Sequence, residues 1–438
     1  MDTHRFTRRQ FVAATSLGSL AAVAGQAAPA HAASAGAASK LAVKGGTPVR
    51  TKGFGGWPIW DKEHDEELVL SVIRSGVWSR SKVVTEFEQK WAEMLGAKRC
   101  LATTNGTNAL LMALNALDIG AGDEVLVGPY TFVASVSTIL LSGALPIMVD
   151  TDRETFLVNP AKMEEKITPN TKAILPVHIY GLPADMDRIN AIAKKHNLVV
   201  VEDACQAWLA EYRGKKCGTL GNLGCFSFQN SKHLTCGEGG AVVGNDDAVM
   251  DRAVAYHNFG RGTPYIGTKC RTTEFQAAIL LVQMQRLEEQ TQRRWENATY
   301  LTSKIKDIPG IAPHKLYDGV TRAAYHLYPL RFNPEEFGVA RSRFLAALQA
   351  EGIPCGGGYG RLNKSPFIEN TLSSRSFQRM YSKEQLDYCR EQIECPDNDM
   401  LCNEAVCFSQ RLFLGGKEDM DDIANAMTKI YENREQLT

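Results

Sequence analysis

One lysine stands where lysines rarely go. Residues 228–240 read FQNSKHLTCGEGG, so Lys232 lies between the apolar run Gly224-Cys225-Phe226-Ser227-Phe228 and a second run, Gly239-Gly240-Ala241-Val242-Val243. Lysine normally keeps its ammonium in water. Drawn into a partly desolvated seam, the amine loses proton affinity and becomes a usable nucleophile. Four features with complementary chemistry occur near other run ends. Glu202-Asp203 follows the apolar run Leu198–Val201, where a carboxylate can cap a strand or hold a cationic ring nitrogen. Thr104-Asn105-Gly106-Thr107-Asn108 opens a helical run, so its N–H groups and the Thr107 hydroxyl can hold a phosphate. The same residues are also ordinary N-caps. Phe132, beyond Pro129-Tyr130-Thr131, can stack on a planar ring or simply pack in the core. Ser227 sits five residues before Lys232.

Taken together, these groups describe a phosphorylated, aromatic, nitrogen-containing aldehyde. Pyridoxal 5′-phosphate needs an amine to form a Schiff base, hydroxyls and helix N–H groups for its phosphate, and a carboxylate to keep its pyridine nitrogen protonated. Lys232 is then a covalent anchor.

Such groups must be positioned by strands and helices. Residues 66–74, 84–95, 106–117 and Met186–Lys195 read as helices from their apolar spacing. Glu124–Val127, Pro146–Val149, Ala173–Val177, Leu198–Val201 and Cys225–Phe228 read as short strands. The alternation predicts an α/β lobe with a mainly parallel sheet, whose ligands gather where strands end and helices begin. From Glu274 a long helix is expected to run through Leu287 towards Ile305. Beyond it, the strand Tyr325–Phe332 and the helix 341–350 suggest a smaller C-terminal α+β domain. The boundaries expected are 40–285 for the large domain and 286–438 for the small one.

The bulk composition narrows the function. At 438 residues and 44% hydrophobic content, the chain can bury a large core. Its formal net charge of zero gives no electrostatic ground for a nucleic acid or anionic membrane partner. Near the N-terminus, Arg8-Arg9 precedes a mildly apolar run and the small-residue site Ala30-His31-Ala32. Residues 1–32 are therefore expected to be a bacterial twin-arginine export signal, with 33–39 as linker and a periplasmic or secreted product without a stable membrane anchor. The eleven cysteines contain no CxxC pair and no zinc spacing. Cys395 and Cys402 are close enough in sequence to pair after export. Asn297-Ala298-Thr299 is a glycosylation sequon, read here as chance in a bacterial protein.

The runs VEDACQAW, GCFSFQNSKHLTCGEGGAVV, HNFGR and RTTEFQAAIL resemble those of the DegT/DnrJ/EryC1/StrS aminotransferases. The opening LAVKGGTPVRTKGFGGWPIWD and the segment YHLYPLRF look most like the branch that aminates scyllo-inosose. This resemblance implies pyridoxal-phosphate fold type I. It also implies transfer of an amino group from glutamate or glutamine to a keto-cyclitol or a nucleotide-linked keto-sugar. The family's Schiff-base lysine falls on Lys232, its pyridinium partner on Asp203, and its phenolic-oxygen contact on Gln206. Thr107 and Asn108 match the phosphate turn, Ser227 the phosphate serine, and Phe132 the stacking aromatic. Arg271 lies where the family often takes a phosphate contact from the other subunit, implying a homodimer with shared sites. Two positions depart from the pattern. Gly76-Val77-Trp78 is followed by Ser79-Arg80-Ser81-Lys82 where a glycine is frequent, and His233 stands where asparagine is common.

Two other readings were open. A cofactor-binding sensor of the same fold would keep the site without turnover. A dinucleotide oxidoreductase fails, because Gly218-Thr219-Leu220-Gly221-Asn222-Leu223-Gly224 lacks the required glycine spacing and precedes a strand rather than a helix.

Overall fold

The computed structural model describes residues 40–438, so the expected export signal and linker lie outside the described residues. Seven strands make the main sheet: β1 (Arg99–Thr103), β2 (Glu124–Val127), β3 (Leu145–Met148), β4 (Thr171–Leu175), β5 (Val199–Asp203), β8 (Leu223–Ser227) and β9 (Gly240–Gly244). Between β5 and β8 lie the two-residue strands β6 (Glu211–Tyr212) and β7 (Lys215–Lys216). The order across the sheet is β1-β9-β8-β5-β4-β2-β3. All pairs from β3 to β8 are parallel, while β9 runs antiparallel to both β8 and β1. The interior strands β2 and β4 are largely apolar and, Lys172 apart, buried, as a sheet covered on both faces requires.

Two close approaches bring the first helix onto the sheet. Asn105 caps the helix Gly106–Ala116 by accepting from the Asn108 N–H at 2.8 Å. A Cβ on Gly106 would lie 2.7 Å from Ser227 Cβ, and one on Gly240 would lie 2.4 Å from the Asn105 carbonyl carbon. Only glycines let the helix N-terminus nest between the end of β8 and the start of β9.

The expected long helix is two helices, Glu274–Met284 and Leu287–Ile305. Polar contacts cluster at the break, Gln285–Arg286, whose two residues keep right-handed helical angles. Arg286 grips Asp65 through two nitrogens at 2.8 Å, and the Gln283 amide donates to the Ile59 carbonyl at 2.9 Å. These contacts hold the segment around Ile59–Asp65 against the break. Glu274, in the first turn, accepts from the N–H groups of Ser81, Val83 and Val84, so its carboxylate caps the helix Lys82–Leu95.

In the C-terminal part, β10 (Ile311–Pro313), β12 (Leu327–Phe332) and β13 (Ala405–Ser409) form an antiparallel sheet in that order. The short β11 (Val320–Arg322) instead pairs with β6. One apolar core runs from the main sheet into this region, and a second surrounds Trp91, whose ring meets Phe226 and Phe228 edge-on. All eleven cysteines are free thiols, so Cys395 and Cys402 are not paired. Asn297 is buried, and its amide donates to the carbonyls of Phe413 and Gly415, which makes it no glycan acceptor.

Candidate active site

The parallel strands deliver their ends to one edge, and the chemically singled-out residues collect there. Asp203 is the last residue of β5 and is 5% exposed. Its Oδ2 accepts from Ser135 Oγ at 2.7 Å and its Oδ1 from the Cys205 N–H at 3.1 Å. Ser135 spends its proton on the carboxylate, so Thr131 Oγ1, 2.8 Å away, donates to Ser135. The carboxylate is thus oriented by two donors yet has no ion pair among the described residues.

Lys232 lies in the loop between β8 and β9 and is partly buried. Its Nζ makes no hydrogen bond or ion pair among the described residues and sits 5.8 Å over the Trp208 ring. Burial pulls the amine's pKa below its usual value, partly offset by Cys205 and by the charge of Asp203. The loop is pinned from outside, where the Trp57 indole N–H donates to the carbonyls of Asn230 and Lys232, both at 3.1 Å.

Ser227 ends β8 against Gly106, beside the opening turn of the first helix. The Thr107 hydroxyl makes no hydrogen bond among the described residues, whereas the Asn108 amide is spent on Thr104 Oγ1 at 2.6 Å. Thr107 is therefore available to a ligand, and Asn108 braces the turn. Phe132 precedes the helix Val133–Leu141 and is 53% exposed, so its ring does not pack in the core. Gln206 is buried, accepting from the Tyr180 N–H at 2.9 Å and donating to Tyr359 Oη at 2.8 Å. Arg271 is half-buried, its backbone bridges to Thr103, and it has no ion pair among the described residues.

Glu202 is separate from this group. Successive strand residues face opposite ways, and its carboxylate points away from Asp203. There it accepts from the N–H groups of Gly218, Leu220 and Gly221 at 2.7, 2.6 and 2.6 Å, and it lies 2.9 Å from His178 Nε2. Because His178 Nδ1 accepts from the Ala184 N–H at 3.0 Å, Nε2 carries the proton and donates to Glu202. Glu202 is a fully buried structural pin. Glu202→Ala strands three backbone donors and is expected to cost roughly 3–5 kcal/mol of stability. A chemical-denaturation midpoint unchanged from wild type would contradict that role.

The residues present fit pyridoxal phosphate. A buried carboxylate without a cation suits a protonated ring nitrogen, the unpaired amine suits an aldehyde, and the glycine-lined helix N-terminus with Ser227 and Thr107 suits a phosphate. Ser135, Thr131, Trp57, Trp208 and Tyr359 escaped sequence reasoning. Tyr359 did leave a signal, since the run Gly356-Gly357-Gly358-Tyr359-Gly360 frees a loop to bring it in from the C-terminal part.

Comparison with known proteins places the chain in a family. The model of the DegT/DnrJ/EryC1/StrS aminotransferase family matches residues 60–406. The chain is 34% identical over 426 residues to the L-glutamine:2-deoxy-scyllo-inosose aminotransferase of Streptomyces kanamyceticus, covering 91% of this chain and 98% of that protein. It is 33% identical over 427 residues to the L-glutamine:scyllo-inosose aminotransferase of Streptomyces griseus, covering 91% and 99%. Among solved structures, 3-amino-5-hydroxybenzoic acid synthase superposes with a TM-score of 0.78 at 29% identity, over 87% of this chain and 99% of that one. DesV of S. venezuelae, in complex with a ketimine intermediate, gives a TM-score of 0.73 at 28% identity, over 85% and 95%. With the family model spanning most of its length and whole-length relatives agreeing, the chain belongs to the DegT/DnrJ/EryC1/StrS aminotransferase family.

Proposed function

We propose that the chain is a pyridoxal-phosphate-dependent transaminase that moves an amino group from L-glutamine to a ketone on a cyclitol. The observation that carries this reading is the pairing at one sheet edge of an unbound, partly desolvated amine, Lys232, with the cation-free buried carboxylate of Asp203. The names of the Streptomyces relatives supply the substrate class. When bound, the cofactor supplies an aldehyde and an electron-accepting ring. Asp203 holds the proton on the ring nitrogen, and Ser135 and the Cys205 N–H fix the carboxylate's direction. Lys232 Nζ takes the proton from the donor's Cα and later moves a proton at the carbon that receives the amine. Thr107, Ser227 and the first N–H groups of the helix bind phosphate, Asn108 keeps that turn in shape, Phe132 offers a ring face, and Gln206 addresses the phenolic oxygen. Pre-loading the enzyme with L-glutamine and following absorbance on adding keto-cyclitols or nucleotide-linked keto-sugars tests the reading. Single-turnover reaction with a keto-cyclitol is expected. Reaction with nucleotide-linked keto-sugars alone would move the substrate class, and reaction with neither would favour the sensor.

We also infer that the working unit is a homodimer in which Arg271 reaches the partner's phosphate site. The planar guanidinium suits two phosphate oxygens. Trp78, Phe132 and Ile266 leave exposed apolar surface that a second copy would cover. Mixing Arg271→Ala with Lys232→Ala subunits should restore roughly a quarter of wild-type activity from two inactive parents, since each mixed dimer keeps one intact site. No recovery on mixing would place Arg271 in its own subunit's site.

The same reading includes twin-arginine export of the folded protein. Replacing Arg8 and Arg9 with lysine should leave cofactor-loaded precursor in the cytoplasm. Mature protein reaching the periplasm from that variant would rule the signal out.

A further inference from the structure

Three arginines are buried among the described residues, and two follow the ordinary rule. Arg50 pairs with Asp419 and Asp422, and Arg322 pairs with Glu211 and Glu288. Arg294 has no carboxylate. It is 0% exposed, and its Nε and Nη2 both donate to one neutral acceptor, Gln410 Oε1, at 2.9 and 2.5 Å. Its Nη1 is enclosed without a partner among the described residues, and the Trp57 ring lies 5.3 Å from the guanidinium carbon. Burial pulls its pKa down to about 9, which leaves it cationic at neutral pH. An uncompensated buried charge is among the costliest features a fold can keep, so stability does not explain it.

That charge backs onto the lysine site. Trp57, beside the guanidinium, donates to the Lys232 carbonyl, and the Gln410 N–H donates to the His326 carbonyl at 3.1 Å. Burial first, then the charges of Lys232 and Arg294, hold the His326 imidazole neutral. His233, 6.0 Å from His326, is held neutral by burial and then by Arg294. Among the described residues, the Nδ1 atoms of both histidines and the Trp208 indole N–H are buried without partners. The carboxylate acting on Lys232 is Asp203, which is assigned to the ring nitrogen. Among the described residues the corner therefore holds the Arg294 guanidinium, the Lys232 amine, two neutral imidazoles, unsatisfied polar atoms and no anion of its own.

We propose that this corner is the subsite for the α-carboxylate of the amino donor, with His326 touching it and Arg294 as the positioning residue whose unbalanced charge acts through His326. The inference rests on the transaminase reading. A donor whose Cα proton reaches Lys232 Nζ carries its carboxylate one bond further, within the same corner. The acceptor cyclitol is neutral and uses the same space in the second half of the cycle. A cation set behind a neutral layer attracts the anion without presenting a guanidinium to the cyclitol hydroxyls. His326 retains slight exposure where Arg294 has none, so the imidazole is the contact.

Gln410→Glu tests this, because it neutralises Arg294 in place while preserving side-chain volume. Holoenzyme is titrated calorimetrically with glutarate, a carboxylate probe without an amine, and with scyllo-inositol, a neutral cyclitol probe. A unit charge acting across about two side-chain layers, at an effective dielectric of about 20, changes a binding constant by about tenfold. Glutarate is therefore expected to bind about tenfold more weakly to Gln410→Glu, with scyllo-inositol unchanged and the melting temperature equal or higher. His326→Ala should show the same split, and Arg294→Lys, which keeps the charge, should bind glutarate nearly as wild type does. No glutarate binding by wild type, unchanged glutarate binding in Gln410→Glu, or equal weakening of both probes would overturn the subsite. If the glutarate split appears but no ketone accepts an amine, the subsite stands and the acceptor reading falls.

Discussion

Lys232→Ala is expected to abolish turnover, a loss on the order of 10⁴-fold, while leaving the fold intact. The two halves of that result have separate causes. Turnover fails because the amine beside Asp203 is lost, and burial, by lowering that amine's proton affinity, is what suits it to proton transfer. The fold survives because Nζ contributes no hydrogen bond or ion pair among the described residues. The local geometry is instead held by the Lys232 N–H to the Gln229 carbonyl at 2.9 Å and by Trp57 on the Lys232 carbonyl, and alanine keeps both. Removing a buried amine also removes its desolvation cost, so the melting temperature of the cofactor-stripped protein should hold or rise. Wild-type protein should carry a visible cofactor absorbance that borohydride removes, and peptide mapping should find the label on Lys232. A label on another lysine, or turnover in the alanine variant, would move the anchor elsewhere.

What could be read from the sequence follows from how local each feature is. Asp203, Ser227 and Lys232 lie within thirty residues of one another, at the ends of apolar runs whose strand character is plain. The helix opening at Thr104 announces itself by its cap. The strand run also held the information that Glu202 and Asp203 face opposite sides, because alternation is intrinsic to the pleat. Residues that close the site from a distance were not legible. Trp57 and His326 reach the Lys232 region, and Tyr359 reaches Gln206, from segments far along the chain, and no local pattern encodes such a meeting. Arg294 reads as one polar position in an amphipathic helix, and only packing shows that its partner is Gln410 rather than a carboxylate. The split of the long helix was hidden too, and the contact made at it, Arg286 to Asp65, spans more than two hundred residues. Helical spacing continues through Gln285 and Arg286, so the pattern carries no sign of the break.

Asp203→Asn is expected to lower kcat on the order of 10²-fold or more, the scale of removing a principal electrostatic stabiliser. Asparagine keeps one oxygen, so either Ser135 or the Cys205 N–H retains its acceptor and the side chain stays near its present direction. What disappears is the negative charge. Without it the ring nitrogen is not held protonated, and the proton that Lys232 must take from the donor's Cα becomes less acidic. Stability should move the other way. Asp203 is buried with no ion pair among the described residues, so in cofactor-stripped protein its charge is uncompensated and the amide should be neutral or stabilising. A residue kept for packing would lose stability and activity together, whereas one kept for charge separates them. Ser135→Ala provides the graded control. It removes one donor to Oδ2 while leaving the carboxylate, and should cost several-fold rather than hundreds-fold. The decisive measurements are kcat for each variant and the denaturation midpoint of each stripped protein. Near-native turnover in Asp203→Asn, or a stripped protein clearly destabilised by that change, would assign the ring nitrogen to another partner.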